Sequence, residues 1–158
     1  MCKAVEVGKI VINRCLKMGL PIDTQKLQKL LVLMQVECIR TSNKPLFKED
    51  VRIWDCGVAI KEVDEEFRGV GKAFHSPLEE YINLLQNEEK SVNFILNEYG
   101  DKDAFELNAL PTSQKVIALS DTSDIATAPR INYQILIGAF EDSENDNFGI
   151  SGDTRQNK

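Results

Sequence analysis

The chain is poor in the residue types that most often carry chemistry: one histidine, one tryptophan and four cysteines among 158 residues. No Gly-x-Gly-x-x-Gly or phosphate-binding loop of the Gly-x-x-x-x-Gly-Lys-Ser/Thr kind occurs, so nucleotide binding has no support. The cysteines, at positions 2, 15, 38 and 56, form no Cys-x-x-Cys pair. With a lone histidine they do not present three or four metal ligands at workable spacing. Cys56 and His75 could be imagined as a thiol nucleophile and its base, but no glycine-rich oxyanion turn accompanies them, and His75 directly precedes a helix-cap signature. The expectation is a protein that is not an enzyme and needs no cofactor or metal.

Long apolar runs are also missing. Nothing approaches the roughly 18 apolar residues of a membrane span, and Met1-Cys2-Lys3-Ala4 opens no apolar leader. Scattered cysteines inside apolar patterns fit reduced thiols. A soluble, cytoplasmic protein without membrane contact is expected.

What the chain does hold is an ordinary globular balance, 42% hydrophobic and 28% charged, at a length that suits one domain. The net charge of -6 conceals a division. Residues 1–48 carry nine Lys or Arg against three acids, and the remainder carries ten against twenty-two. The basic first third could follow a phosphate backbone, but so acidic a remainder would repel nucleic acid, which is therefore not the expected partner.

Ala4, Val7, Val11, Cys15 and Met18 recur at helical spacing and Gly19 supplies a stop, which predicts a first helix. Beyond Pro21, Asp23 or Thr24 can cap a second helix, to about Arg40, with Leu27, Leu30, Leu31, Met34 and Cys38 on one face. Residues 41–45 read as a loop and Val51 to Gly57 as one short strand. Ile60, Val63 and Phe67 predict a short helix with Glu62, Asp64, Glu65 and Glu66 outward. Ser76-Pro77-Leu78-Glu79 carries cap, first-turn proline and capping-box acid, and predicts a helix burying Leu78, Tyr81, Ile82 and Leu85. Val92, Ile95, Leu96 and Tyr99 predict another ending at Gly100, and Asp101 can cap a last one containing Ala104, Phe105 and Leu107.

The expected fold class is therefore mainly α: six helical segments with one or two short extended pieces, a small α+β element being placed near 51–57 and 131–137. Ile131, Tyr133, Ile135 and Ile137 alternate as a strand would, whereas 141–158 is acidic, polar and expected to be disordered.

Leu27-Gln28-Lys29-Leu30-Leu31, then Pro45-Leu46-Phe47, then Trp54-x-x-Gly57, with Val63, Phe67 and Gly71 at matching offsets, resemble the Panacea domain of SocA-like antitoxins and GepA-like phage-associated proteins. The resemblance covers about residues 3–110, leaving 111–140 as a divergent extension. Three departures mark it: Gly57-Val58-Ala59 replaces Gly-Pro-Val, Asp64 stands where the family has Tyr, and a later Thr-His has no counterpart near 108–114. The resemblance implies a non-enzymatic antitoxin that binds and neutralises a cognate toxin, by obstruction or as a proteolytic adaptor. Two further readings are a phage or mobile-element protein that inhibits a host defence or nuclease component, and a DNA-binding regulator using the basic first third.

The residues expected to form the scaffold or meet the partner are Gln28, Lys29, Pro45, Phe47, Trp54, Asp55, Gly57, Glu62, Glu65, Glu66 and Phe67. Gln28 either ties the second helix to the Trp54 segment or touches the partner. Trp54 is either a core anchor or, with an exposed face, an interface hot spot.

Overall fold

The computed structural model describes residues 2–54, 57–69 and 73–110, with the side chains of 53, 54, 57 and 58 left out of account. Within them run α1 (Ala4–Lys17), α2 (Thr24–Ser42), β1 (Arg52–Trp54), β2 (Gly57–Ala59), α3 (Lys61–Phe67), α4 (Gln86–Tyr99) and α5 (Ala104–Asn108). The described part is mainly α, as expected. The expected strand at 131–137 and the expected tail at 141–158 lie outside the described residues.

α2 is the axis of the body. It begins where the Asp23 carboxylate accepts the Lys26 N–H at 2.7 Å, and it stops at Asn43, whose left-handed backbone (φ 58°) asparagine tolerates better than most residues. Helices α1, α3, α4 and α5, together with β2, pack around it. Thirteen consecutive residues, Lys26 to Cys38, are buried as a result. The expectation of a single apolar face is thus corrected: α2 is enclosed on all sides, and its polar residues are internal. Each polar side chain in such a place needs a partner, because an unpaired one costs about 1 to 3 kcal/mol. Lys26 places its ammonium on the carbonyls of Pro21 and Gly100, at 2.7 and 2.6 Å. Gly100 is the C-cap of α4, where the helix dipole favours a cation.

The sequence led to one strand between 51 and 57, and the structure has two. β1 and β2 form an antiparallel hairpin with Arg52 opposite Ala59, Ile53 opposite Val58 and Trp54 opposite Gly57. A pair of three-residue strands is marginal alone. Gln28 holds it to α2: its side-chain amide accepts the Ile60 N–H at 2.8 Å and donates to the Ile60 carbonyl at 3.0 Å.

Two other amides act alike. Gln35 accepts from Leu46 N–H (2.7 Å) and Phe47 N–H (3.1 Å) and donates to the Phe47 carbonyl (3.0 Å). Cys2 bridges the opposite edge of the same segment through Leu46 and Lys48, so Phe47 is paired on both sides. Asn13 of α1 accepts the Leu78 N–H and donates to the Leu78 carbonyl, both at 2.7 Å.

That last contact explains the main correction. The helix expected after Ser76 does not form, and residues 77–85 run without helix to the start of α4 at Gln86. Leu78, Ile82 and Leu84 lie half-buried against the core while Glu79, Tyr81, Asn83 and Leu85 are exposed, a near two-residue alternation in place of a helical stripe. Asn13 takes both main-chain groups of Leu78, and the local cap signature is overridden. The described chain accordingly has five helices where six were expected, and Asp103, not Asp101, caps α5 by accepting the Glu106 N–H at 2.8 Å.

Burial pushes the Cys15 thiol up, with Lys26 opposing. Cys2 is raised as well, first by burial and then by Glu88, both of whose carboxylate oxygens lie 3.9 Å from its sulfur.

Two outcomes are expected. Gln35→Ala strands the Leu46 and Phe47 N–H groups and the Phe47 carbonyl, and should lower the unfolding free energy by about 3 kcal/mol in urea titrations. Gln28→Ala strands the Ile60 N–H alone, since the Ile60 carbonyl keeps the Asp64 N–H, and should cost about half as much, while substitution of exposed Gln25 leaves stability unchanged. For the thiols, a folded-state pKa above the unfolded one gives stability that is complete below the ordinary thiol range, near 8.5, and is lost as pH rises through the folded value. The urea midpoint of the native chain should therefore fall between pH 8 and pH 10 more steeply than that of Cys2→Ser/Cys15→Ala.

Candidate partner-binding surfaces

Four of the residues singled out in the sequence prove to be internal, and four others, Pro45, Glu62, Glu65 and Glu66, are exposed. Gln28 and Lys29 are buried on α2, and Gln28 takes the scaffold role by gripping Ile60. Phe47 is 1% exposed, and its main chain is fixed by Gln35. Phe67 is also buried, set edge-on against Phe74 with ring centroids 5.3 Å apart. Trp54 and Gly57 face each other in the hairpin register, and their side-chain surroundings lie outside the described residues. Asp55 lies wholly outside them, as does Cys56.

The outward remainder falls into two places. One is α3, whose Val63 and Phe67 are locked into the core while Glu62, Glu65 and Glu66 are exposed. Asp64 pairs with Arg68 at 2.6 Å, and that hydrogen bond, then the Asp64 charge, raises the Arg68 guanidinium further. Lys61 stands 3.7 Å from Glu65, a loose pair on an exposed face. The surface of α3 is therefore acidic on a fixed backbone.

The other lies at the far end of α2. Between Glu37, Thr41 and Ser42 of α2 and Gln86, Asn87, Lys90, Ser91 and Phe94 of α4 there is an open groove of about 600 Å³. A second hollow of about 440 Å³ adjoins it, lined by Ser42, Lys44, Pro45, Leu85, Asn87 and Glu88. Ser42 and Asn87 belong to both and are joined by a 3.3 Å hydrogen bond from the Asn87 amide. The helix hydroxyls donate backwards within their own helices, Thr41 to the Glu37 carbonyl, Ser42 to Cys38 and Ser91 to Asn87. No hydroxyl there is poised beside a base.

Pro45, alone among the residues singled out by name, lines the second hollow. Thr41, Ser42 and Lys44 fall in the 41–49 loop that the sequence marks as a contact surface, whereas the lining residues of α4 were missed because Asn87 and Glu88 read as an interruption between two helices. The usable signal was Glu88, three residues after Leu85, whose N–H it accepts at 2.7 Å at the start of α4.

His75 is exposed, and among the described residues no group of three or more His, Cys, Asp or Glu side chains gathers to hold a metal ion. No helix among them is long and apolar enough to cross a membrane. Set against protein-family models, curated proteins and solved structures, the chain finds no match in any of the three.

Proposed function

We propose that this chain is an antitoxin-like protein that makes and breaks no covalent bond and neutralises a protein partner, a cognate toxin, by binding it, whether by obstructing it or by delivering it to a protease. The observation that supports this reading most is the double hydrogen bond between Gln28 and Ile60. It makes one body of the leucine-rich helix, the hairpin and α3, which are the segments that carry the resemblance to the Panacea domain. In such a body the buried polar side chains Lys26, Gln28, Gln35 and Glu88 are committed to internal bonds. What remains outside is shape and charge, with α3 offering carboxylates to a basic face.

A DNA-binding regulator would need a helix with a face free to enter a groove. α2, buried from Lys26 to Cys38, has none to offer.

Glu65→Lys/Glu66→Lys is expected to weaken capture of the product of the adjoining gene by about tenfold in a titrated pull-down, without altering the thermal unfolding of the protein. Both side chains are exposed, so the fold has little to lose. Unchanged capture would remove α3 from the interface. If no neighbouring gene product is ever retained and loss of the gene is harmless, the antitoxin reading fails.

A further inference from the structure

We infer that the groove between α2 and α4 is a second docking surface, and that its occupant is an extended acidic segment of a protein partner. It lies far from α3. From Gln28, which anchors the hairpin and α3, to Ser42 on the groove floor is fourteen residues of helix, about 21 Å at 1.5 Å per residue. The inference is independent of the antitoxin reading.

Shape comes first. The two hollows share Ser42 and Asn87 and together make a trough that runs from Phe94 past the start of α4 to Pro45 and Leu85. Leu85 is 64% exposed, a large apolar side chain left at the rim. Apolar groups at both ends and polar ones between them match a short stretch of extended chain better than a compact small molecule.

Charge selects the occupant. The charged residues lining the trough are Glu37, Glu88, Lys44 and Lys90. The two carboxylates are buried and engaged, Glu37 with Arg40 and Glu88 with the Leu85 N–H and the Cys2 thiol. The two lysines are exposed, and neither stands in an ion pair among the described residues. In a chain of net charge -6, the exposed charged side chains of the trough are thus the two lysines, with the carboxylates set beneath them. Nucleic acid fits less well: two lysines and one half-buried aromatic, Phe94, are few for phosphate tracking and base stacking, and the remaining surface repels phosphates.

The test is fluorescence anisotropy on the full chain with three labelled probes: an octapeptide alternating Glu and Leu, its Lys and Leu counterpart, and a single-stranded decanucleotide. The acidic peptide is expected to bind, and the other two not. Lys44→Glu/Lys90→Glu should weaken it at least about tenfold and Lys44→Ala/Lys90→Ala by a smaller factor, with thermal unfolding unchanged; Glu65→Lys/Glu66→Lys should leave probe affinity as it was. The inference is overturned if the acidic peptide does not bind, if both lysine variants bind it as the native chain does, or if the basic peptide or the oligonucleotide binds instead. A gain in affinity on replacing Glu141, Asp142, Glu144 and Asp146 by Ala would also overturn it, since the occupant would then be this chain's own acidic stretch. A partner retained by the lysine variants but lost by the α3 variant would leave the antitoxin reading standing without the groove.

Discussion

Irregular backbone can sit against a buried helix only if its N–H and C=O groups find partners, and here side-chain amides supply them. Gln28, Gln35 and Asn13 each present an acceptor and a donor to one residue of a passing segment, as a neighbouring strand would. Gln28 and Gln35 are seven positions apart, two turns along the same side of α2. One helix face therefore sets the position of the hairpin through Ile60 and of the 41–49 loop through Phe47. The geometry of α3 is in turn fixed by the hairpin, and the lip of the groove by the loop. Lys26 extends the same device to a charged group, joining the turn before α2 to the end of α4.

Much of the fold was legible because local and global preferences agree. α1, α2, α3 and the second half of α4 follow from apolar spacing, with Asp23 as cap and the stop near Gly19 where the chain places them. Gly19 takes φ 71°, a left-handed conformation that glycine adopts without strain. The misread helix has its origin in a contact distant along the sequence. Ser76-Pro77-Leu78-Glu79 has every local mark of a helix start, yet Asn13, 65 residues earlier, holds Leu78 by both main-chain groups. The second strand was missed because nothing between Trp54 and Gly57 carries a tight-turn signature such as Asn-Gly.

Burial was harder to read than helicity. A helix carrying Lys26, Gln28, Lys29, Gln35 and Glu37 looks as though it has a wet side, and only the surrounding elements show that it has none. For the same reason several anticipated contact residues are framework. Gln28, Phe47 and Phe67 keep the body together, while the groove was illegible until α4 was known to begin at Gln86. The acidic exterior of α3 was legible, because Val63 and Phe67 fix which side of so short a helix faces inward.

An amide that pairs with main chain is blind to the side chain of the residue it grips. At the half-buried position 78 the side chain can therefore change with the path of the chain preserved, provided proline, which lacks the N–H, stays away, whereas Ile60 and Phe47 also fill the core and are held by packing as well. Exposed positions along the gripped segments are thus separable from the inner wiring that fixes their course.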